Sequence, residues 1–261
     1  MRKLALGLAV SLLSSTALAA PKKAPVQAPP PEIAGLDADD AVIVRESIES
    51  LGMLGTPAAA EAIAARLSRG LPRDLTLVAL DALGILQQRV AVPVVEKLTR
   101  HRDETIRLRA LQTLVALDAP HLRGTLERGL DDPSAEVRAE CVQALVRHGH
   151  RSSVPVLFRA LDAGELGAAL PIAVHGDDAA VRRLSSYLGR VPFTAMAEPM
   201  ARALAREDLE RRLRLDLVGR LVELATPEIK YFLEDLAGTL PGPSNDPVKR
   251  AVSDAAFRIV D

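Results

Sequence analysis

The residues best equipped for chemistry in this sequence are a few histidines, a lone cysteine and two runs of arginine. His148 and His150 flank Gly149 in a turn, and with His175 they could offer imidazole nitrogens to a metal ion across a repeat boundary. The sequence puts no carboxylate or thiolate firmly beside them, so they read as solvated turn histidines. Cys141 and His148 could pair a thiol nucleophile with a base. Cys141 also falls on a stripe with Val137 and Leu145, where a cysteine serves as a small buried hydrophobe. Arg182 with Arg183, and Arg211 with Arg212 and Arg214, could bind an anion. Glu207, Asp208, Glu210 and Asp216 surround the second run and favour mutual neutralisation on a solvated helix face. No glycine-rich phosphate loop follows a strand, no Gly-x-Ser-x-Gly elbow occurs, and no paired-carboxylate motif is recognisable. The expectation is a chain that is not an enzyme and holds no cofactor or metal.

The elements that would position these residues are helical. Apolar residues make up 48% of the chain but aromatic ones only 2%, with no Trp, so the core must be Leu, Ala and Val. That composition suits helices packed closely on helices and argues against a β-sandwich. The single cysteine allows no internal disulfide, so burial alone must stabilise the fold. At the N-terminus Arg2 and Lys3 precede an apolar run, Leu4 to Leu13, and then small residues ending at Ala19. This order predicts a secretory signal peptide over 1–19, cleaved after Ala19, and no cysteine follows the run to make a lipid anchor. The run is shorter than the roughly 20 apolar residues a bilayer span needs. The mature chain is expected in the periplasm or outside the cell. Loss of Arg2 and Lys3 takes the formal charge from −1 to −3, too little of either sign to attract nucleic acid or an anionic membrane. Residues 20–37, rich in Pro and Lys at their start, read as a linker ahead of a folded body over 38–261.

Within that body one leucine recurs: Leu51, Leu83, Leu114, Leu145 and Leu221. Twelve positions later stand Ile63, Val95, Leu126, Leu157 and Leu233, and seven earlier stand Val44, Thr76, Arg107, Arg138 and Arg214. Arg250 holds that earlier place before Phe257. Each unit is thus a helical hairpin near 31 residues, which must stack on its neighbours to bury an apolar face. About six to seven units fit. In the clearest, Asp132 is placed to cap a helix starting at Pro133, Val137, Cys141, Ala144 and Leu145 form its buried stripe, and Gly149 ends it in a left-handed conformation. Its second helix turns Val156, Leu157, Ala160 and Leu161 inward. Register is lost over 162–206, where the leucine interval stretches to 76 residues. A last helix over 247–260, with Arg250 and Arg258 outward, reads as the cap of the stack.

Asp132, Pro133, Val137, Arg138 and Leu145, with Pro155 in the following helix, resemble the HEAT repeat family, including the bacterial HEAT-like repeats first named after phycobilisome lyases. Weaker echoes are Asp103, Ile106 and Arg107, and Asp246, Pro247, Val248 and Lys249. The resemblance implies an all-α, armadillo-like superhelix of antiparallel helix pairs, with the Asp and Arg positions structural. Some HEAT-like enzymes bind a di-iron centre through His-Glu dipeptides; none occurs here, so that chemistry does not carry over. The resemblance also implies that the leucine-bearing helices line a concave surface. Five positions before the leucine stand Glu46, Val78, Arg109, Glu140 and Asp216, and two before it Glu49, Asp81, Gln112, Gln143 and Gly219. Both rows face away from the buried stripe. They predict a polar, mostly acidic ladder for a protein or peptide partner bearing basic residues. The reading is therefore an exported binding scaffold; the alternative is an enzyme or enzyme subunit, lyase-like or metal-dependent, on the same frame.

Overall fold

The capping residues divide the chain into short helices with little left between them. Asp40, Thr56, Asp103, Asp177, Thr226 and Asp246 each accept a hydrogen bond from an amide in the first turn of the helix they precede. Proline follows at Pro57, Pro227 and Pro247, where its missing N–H costs nothing. The computed structural model describes residues 31–259. The signal peptide read over 1–19 and linker residues 20–30 lie outside the described residues. The helices are α1 (Pro31–Gly35), α2 (Ala41–Leu54), α3 (Pro57–Ser68), α4 (Arg73–Leu86), α5 (Val92–Leu98), α6 (Glu104–Ala116), α7 (Leu122–Gly129) and α8 (Ala135–His148). They continue with α9 (Val154–Asp162), α10 (Ala169–His175), α11 (Asp178–Ser185), α12 (Phe193–Ala205), α13 (Arg211–Leu224), α14 (Pro227–Thr239) and α15 (Pro247–Arg258). Among the described residues no helix is long and apolar enough to cross a membrane.

From α2 onward the helices alternate between two rows. Even-numbered helices lie side by side from α2 to α14, and odd-numbered ones form the second row. Each of α3, α5, α7 and α9 packs onto the next even helix, so neighbouring units share one core. The fold is an all-α solenoid of stacked antiparallel pairs. Leu51, Leu83, Leu114, Leu145 and Leu221 are at most 1% exposed, and Ile63, Val95, Leu126, Leu157 and Leu233 are fully buried. Burying each such side chain stabilises the fold by about 1.5–3 kcal/mol. Polar ties run between units: Thr113 donates to Leu80 O (3.1 Å), Arg206 to Ala173 O (2.8 Å), and Arg107 to the Asp132 carboxylate. From α2 to α8 the even helices have 13–14 residues and approach one another closely, whereas α5, α7 and α9 have only 7, 8 and 9.

Several expectations are corrected. Residues 31–37, assigned to the linker, contain α1, and Leu36 is 2% exposed because Ile33 and Leu36 already face α2 and its neighbours. Asp132 does not cap a helix at Pro133. The α8 helix begins at Ala135 with Ser134 as its cap residue, while Asp132 accepts from the Ser134 amide (2.9 Å) and from Arg107. Gly149 is extended (φ −71°), not left-handed. The matching residues Gly55, Gln87, Asp118 and Ala225 do have positive φ. At Gly149 the His175 ring replaces that turn, its Nε2 lying 2.9 Å from Leu145 O and 3.0 Å from Val146 O, and a Cβ there would sit 2.7 Å from the ring. In α9 it is Phe158 that is buried with Leu157, Ala160 and Leu161, and Val156 is only half-buried.

The 76-residue interval is two and a half units. Four helices lie between α8 and α13, so α13 is five steps on, an odd number, and Leu221 lies in the opposite row from Leu145. The contacts agree: Arg220 of α13 donates to Ser185 of α11, and the Glu210 amide ahead of α13 donates to Asp178 at the start of α11. Phe257 is 85% exposed, so α15 buries Val248, Val252, Ala255 and Ala256 instead, and the end of the stack is not wholly polar.

Candidate interaction face

The even row carries the ladder on one continuous face. On α2 the exposed stripe is Val42, Glu46, Glu49 and Met53, and on α4 it includes Asp81 and Ile85 with half-buried Val78 between helix turns. Arg109 and Gln112 continue it on α6, and Glu140 and Gln143 on α8. The rungs are cross-linked between units. Arg109 donates to Asp81, and Gln112 Nε2 donates to Glu140 Oε2 at 3.0 Å. The face is therefore less acidic than its composition implies, because Asp81 is ion-paired and Glu140 accepts a hydrogen bond. Glu49 lies 4.0 Å from Arg45 on its own helix. Asp216 does not join this face, since α13 belongs to the odd row.

Two residues that ladder spacing did not single out enlarge the face. Met53 and Ile85, two positions after the repeat leucine, are 88% and 73% exposed, and Ala116 and Arg147 hold the same place on α6 and α8. Beside Ile85 a groove of about 230 Å³ opens over Gly84 and Ala116, with Asp81, Arg109 and Gln112 on its wall. A second, of about 280 Å³, lies over Val115 and Val146 beside Glu140, Gln143 and Arg147. The signal was available: a leucine-plus-two position on an amphipathic helix points outward, so a large apolar residue there is exposed.

The other candidates are accounted for by structure. Among the described residues no group of three or more His, Cys, Asp or Glu is placed to hold a metal ion. His175 Nε2 is committed to two carbonyls, and His150 Nδ1 accepts from the Ser152 amide (3.2 Å). Cys141 is buried in the α8 core, and burial pushes its thiol up to about 12, so it carries no thiolate near neutral pH. Arg183 sits 4.0 Å over the Phe158 ring and 3.0 Å from Asp162. The second arginine run is not neutralised by its sequence neighbours. Asp208 pairs with Arg206 at 2.6 Å, and Arg214 donates to Leu204 O (3.5 Å), its Nε buried without a hydrogen-bond partner among the described residues. Asp132, Arg107 and Arg138 form a cross-unit tie, with Arg138 donating to Asp132 O (2.9 Å), Pro133 O (3.2 Å) and Glu165 (3.4 Å). Pro133 stays exposed, and Val137 and Leu145 lie in the core.

No family model matches the chain, and no curated protein does. Among solved structures, the CpcE–CpcF complex of phycocyanin lyase from Nostoc sp. PCC7120 matches with 21% identity and a TM-score of 0.44, covering 95% of this chain and all of that one. Human deoxyhypusine hydroxylase matches with 20% identity and a TM-score of 0.40 over 87% of this chain and 94% of its own. A designed armadillo repeat protein in complex with a (KR)4 peptide matches at 14% and 0.38, over 88% and 98%.

Proposed function

We propose that this chain is an exported, non-enzymatic scaffold that binds a protein or peptide partner of the cell envelope on the exposed face of its even row. The observation that carries this reading is the cross-linking of Asp81 to Arg109 and of Gln112 to Glu140. Side chains tied between units are already ordered, so a partner meets them without the full cost of fixing long rotamers. The close approach of the long even helices, against the short α5, α7 and α9, favours a bend toward the even row, which would make this face concave. Grooves beside Ile85 and Val146 add apolar contact between polar rungs, the mix that interfaces use. Binding is favoured over catalysis because the one thiol is sealed in the core and the rings of His150 and His175 are committed to the backbone.

The test is site-specific photo-crosslinking in native envelope. A benzophenone side chain at Gln143 or Met53 on the even row is expected to yield one discrete adduct, identified by mass spectrometry. The same probe at exposed Arg123 on α7 serves as the odd-row control. Adducts that are equally abundant from Arg123, or absent from both even-row positions, would overturn the assignment.

A further inference from the structure

A groove of about 460 Å³ lies on the other row, between α13 and α15. Its floor is Leu215, Val218, Val222, Ala251 and Ala255, and its rim is charged. Along α15 the charges alternate at every fourth residue: Asp246, Arg250, Asp254, Arg258. Residues spaced by four lie on one stripe of a helix. Arg250, Asp254 and Arg258 are exposed, and no ion pair among the described residues joins them to a partner. Asp246 keeps its charge while capping α15, accepting from the Val248 and Lys249 amides. In the middle of α13, Gly219 is exposed and a Cβ there would meet nothing within 4 Å. A glycine inside a helix is destabilising relative to alanine, and no contact among the described residues requires one here.

We propose that the α13–α15 face binds a second copy of itself about a two-fold axis that passes beside residue 252, with the two α15 helices antiparallel. Four alternating charges are self-complementary in that arrangement. Asp246 faces Arg258 of the second copy, Arg250 faces its Asp254, and the two remaining pairs follow by symmetry. A parallel arrangement would set each charge against its like. The apolar floors meet between the stripes, and Gly219 lets the two α13 backbones come close. Two helices of 12 and 14 residues give a face about 20 Å long at 1.5 Å per residue, a small interface, so association is concentration-dependent and weakened by salt.

Sedimentation velocity on the full chain and four variants tests this. Arg250→Asp alone sets two Asp–Asp contacts across the axis, and Asp254→Arg alone sets two Arg–Arg contacts, so each is expected to weaken dimerisation about tenfold or more. The double variant Arg250→Asp/Asp254→Arg restores every opposite pair and is expected to dimerise again. An equimolar mixture of the two single variants is expected to form a mixed dimer, which excludes misfolding as the cause of either defect. Gly219→Leu, which fills the space between the two α13 helices, is expected to weaken the dimer without loss of helix content. A wild-type chain monomeric at all concentrations, a dimer indifferent to single reversals, or single variants that fail to associate when mixed would each overturn the proposal.

Discussion

Replacing Asp132 by asparagine probes the tie between the third and fourth units. The carboxylate accepts from Arg107 Nε (2.9 Å) and Nη2 (2.8 Å) and from the Ser134 amide (2.9 Å), and both side chains of the ion pair are only 11% exposed. Asparagine keeps the shape but offers one oxygen, turns an NH2 toward a guanidinium, and leaves Arg107 charged where little water reaches it. Removing one partner of a buried pair costs about 3–5 kcal/mol; with a tenth of the surface still wet, about 3 kcal/mol is expected for Asp132→Asn. The same change at Asp81, whose pair with Arg109 leaves 47% and 39% exposed, is expected to cost less than about 1 kcal/mol. Urea unfolding followed by circular dichroism gives the difference, and hydrogen exchange should localise it to residues 103–108 and 131–138.

The pH dependence of the same variant is a second reading. Burial pushes the Asp132 pKa up, but the Arg107 hydrogen bond, the Ser134 amide and the Arg107 and Arg138 charges outweigh it and hold it below the usual carboxylate range. A pKa lowered by folding contributes stability that is fully present above the unfolded value, about 3.9, and is lost as pH falls through the folded one. The gap between wild type and Asp132→Asn should thus be constant above pH of about 5 and narrow below about 4. A loss no larger than that of Asp81→Asn, or a gap unchanged into acid, would refute the reasoning.

Three further outcomes are expected. Gly149→Ala should destabilise, since its Cβ would meet Leu145 O at 2.4 Å and the His175 ring at 2.7 Å, whereas Ala225→Gly should stabilise by about 0.5–1 kcal/mol by relieving a positive φ; thermal melts of the two compared with wild type check the opposite signs. Cys141 should resist alkylation in the folded chain at mildly alkaline pH and label fully in urea, and native labelling as fast as that of a free thiol would contradict its burial. Expression with the full N-terminus should give a mature protein beginning at Ala20, read by intact mass, and a retained leader would remove the export part of the proposal.

Much of the fold was legible because burial imposes its period on the sequence. Leucines at intervals of 32, 31 and 31 residues marked α2, α4, α6 and α8, and the apolar residue twelve later marked the partner helix. What periodicity does not count is helices. An interval of 76 looks like lost register, yet it records one helix more than whole units require, and that helix moved Leu221 and Asp216 to the other row. Gly149 was misread because a glycine can answer to space as well as to φ, and the space here is taken by His175, far along the chain. Phe257 fits the leucine spacing but is 85% exposed on α15, the last helix among the described residues. The polar rungs of the candidate face were readable from outward positions. Their pairing across units was not, because residues 28 apart in sequence become neighbours only once the stack forms.

The most direct test of the scaffold assignment compares partner recovery by wild type with that by a chain carrying Glu46→Lys, Glu49→Lys, Met53→Ser and Gln143→Lys, none of which breaks a tie between units. Recovery of the protein identified by photo-crosslinking should fall at least about tenfold while helix content and melting stay near wild type. Unchanged recovery by the folded variant would contradict the claim that the even-row face is where this protein binds.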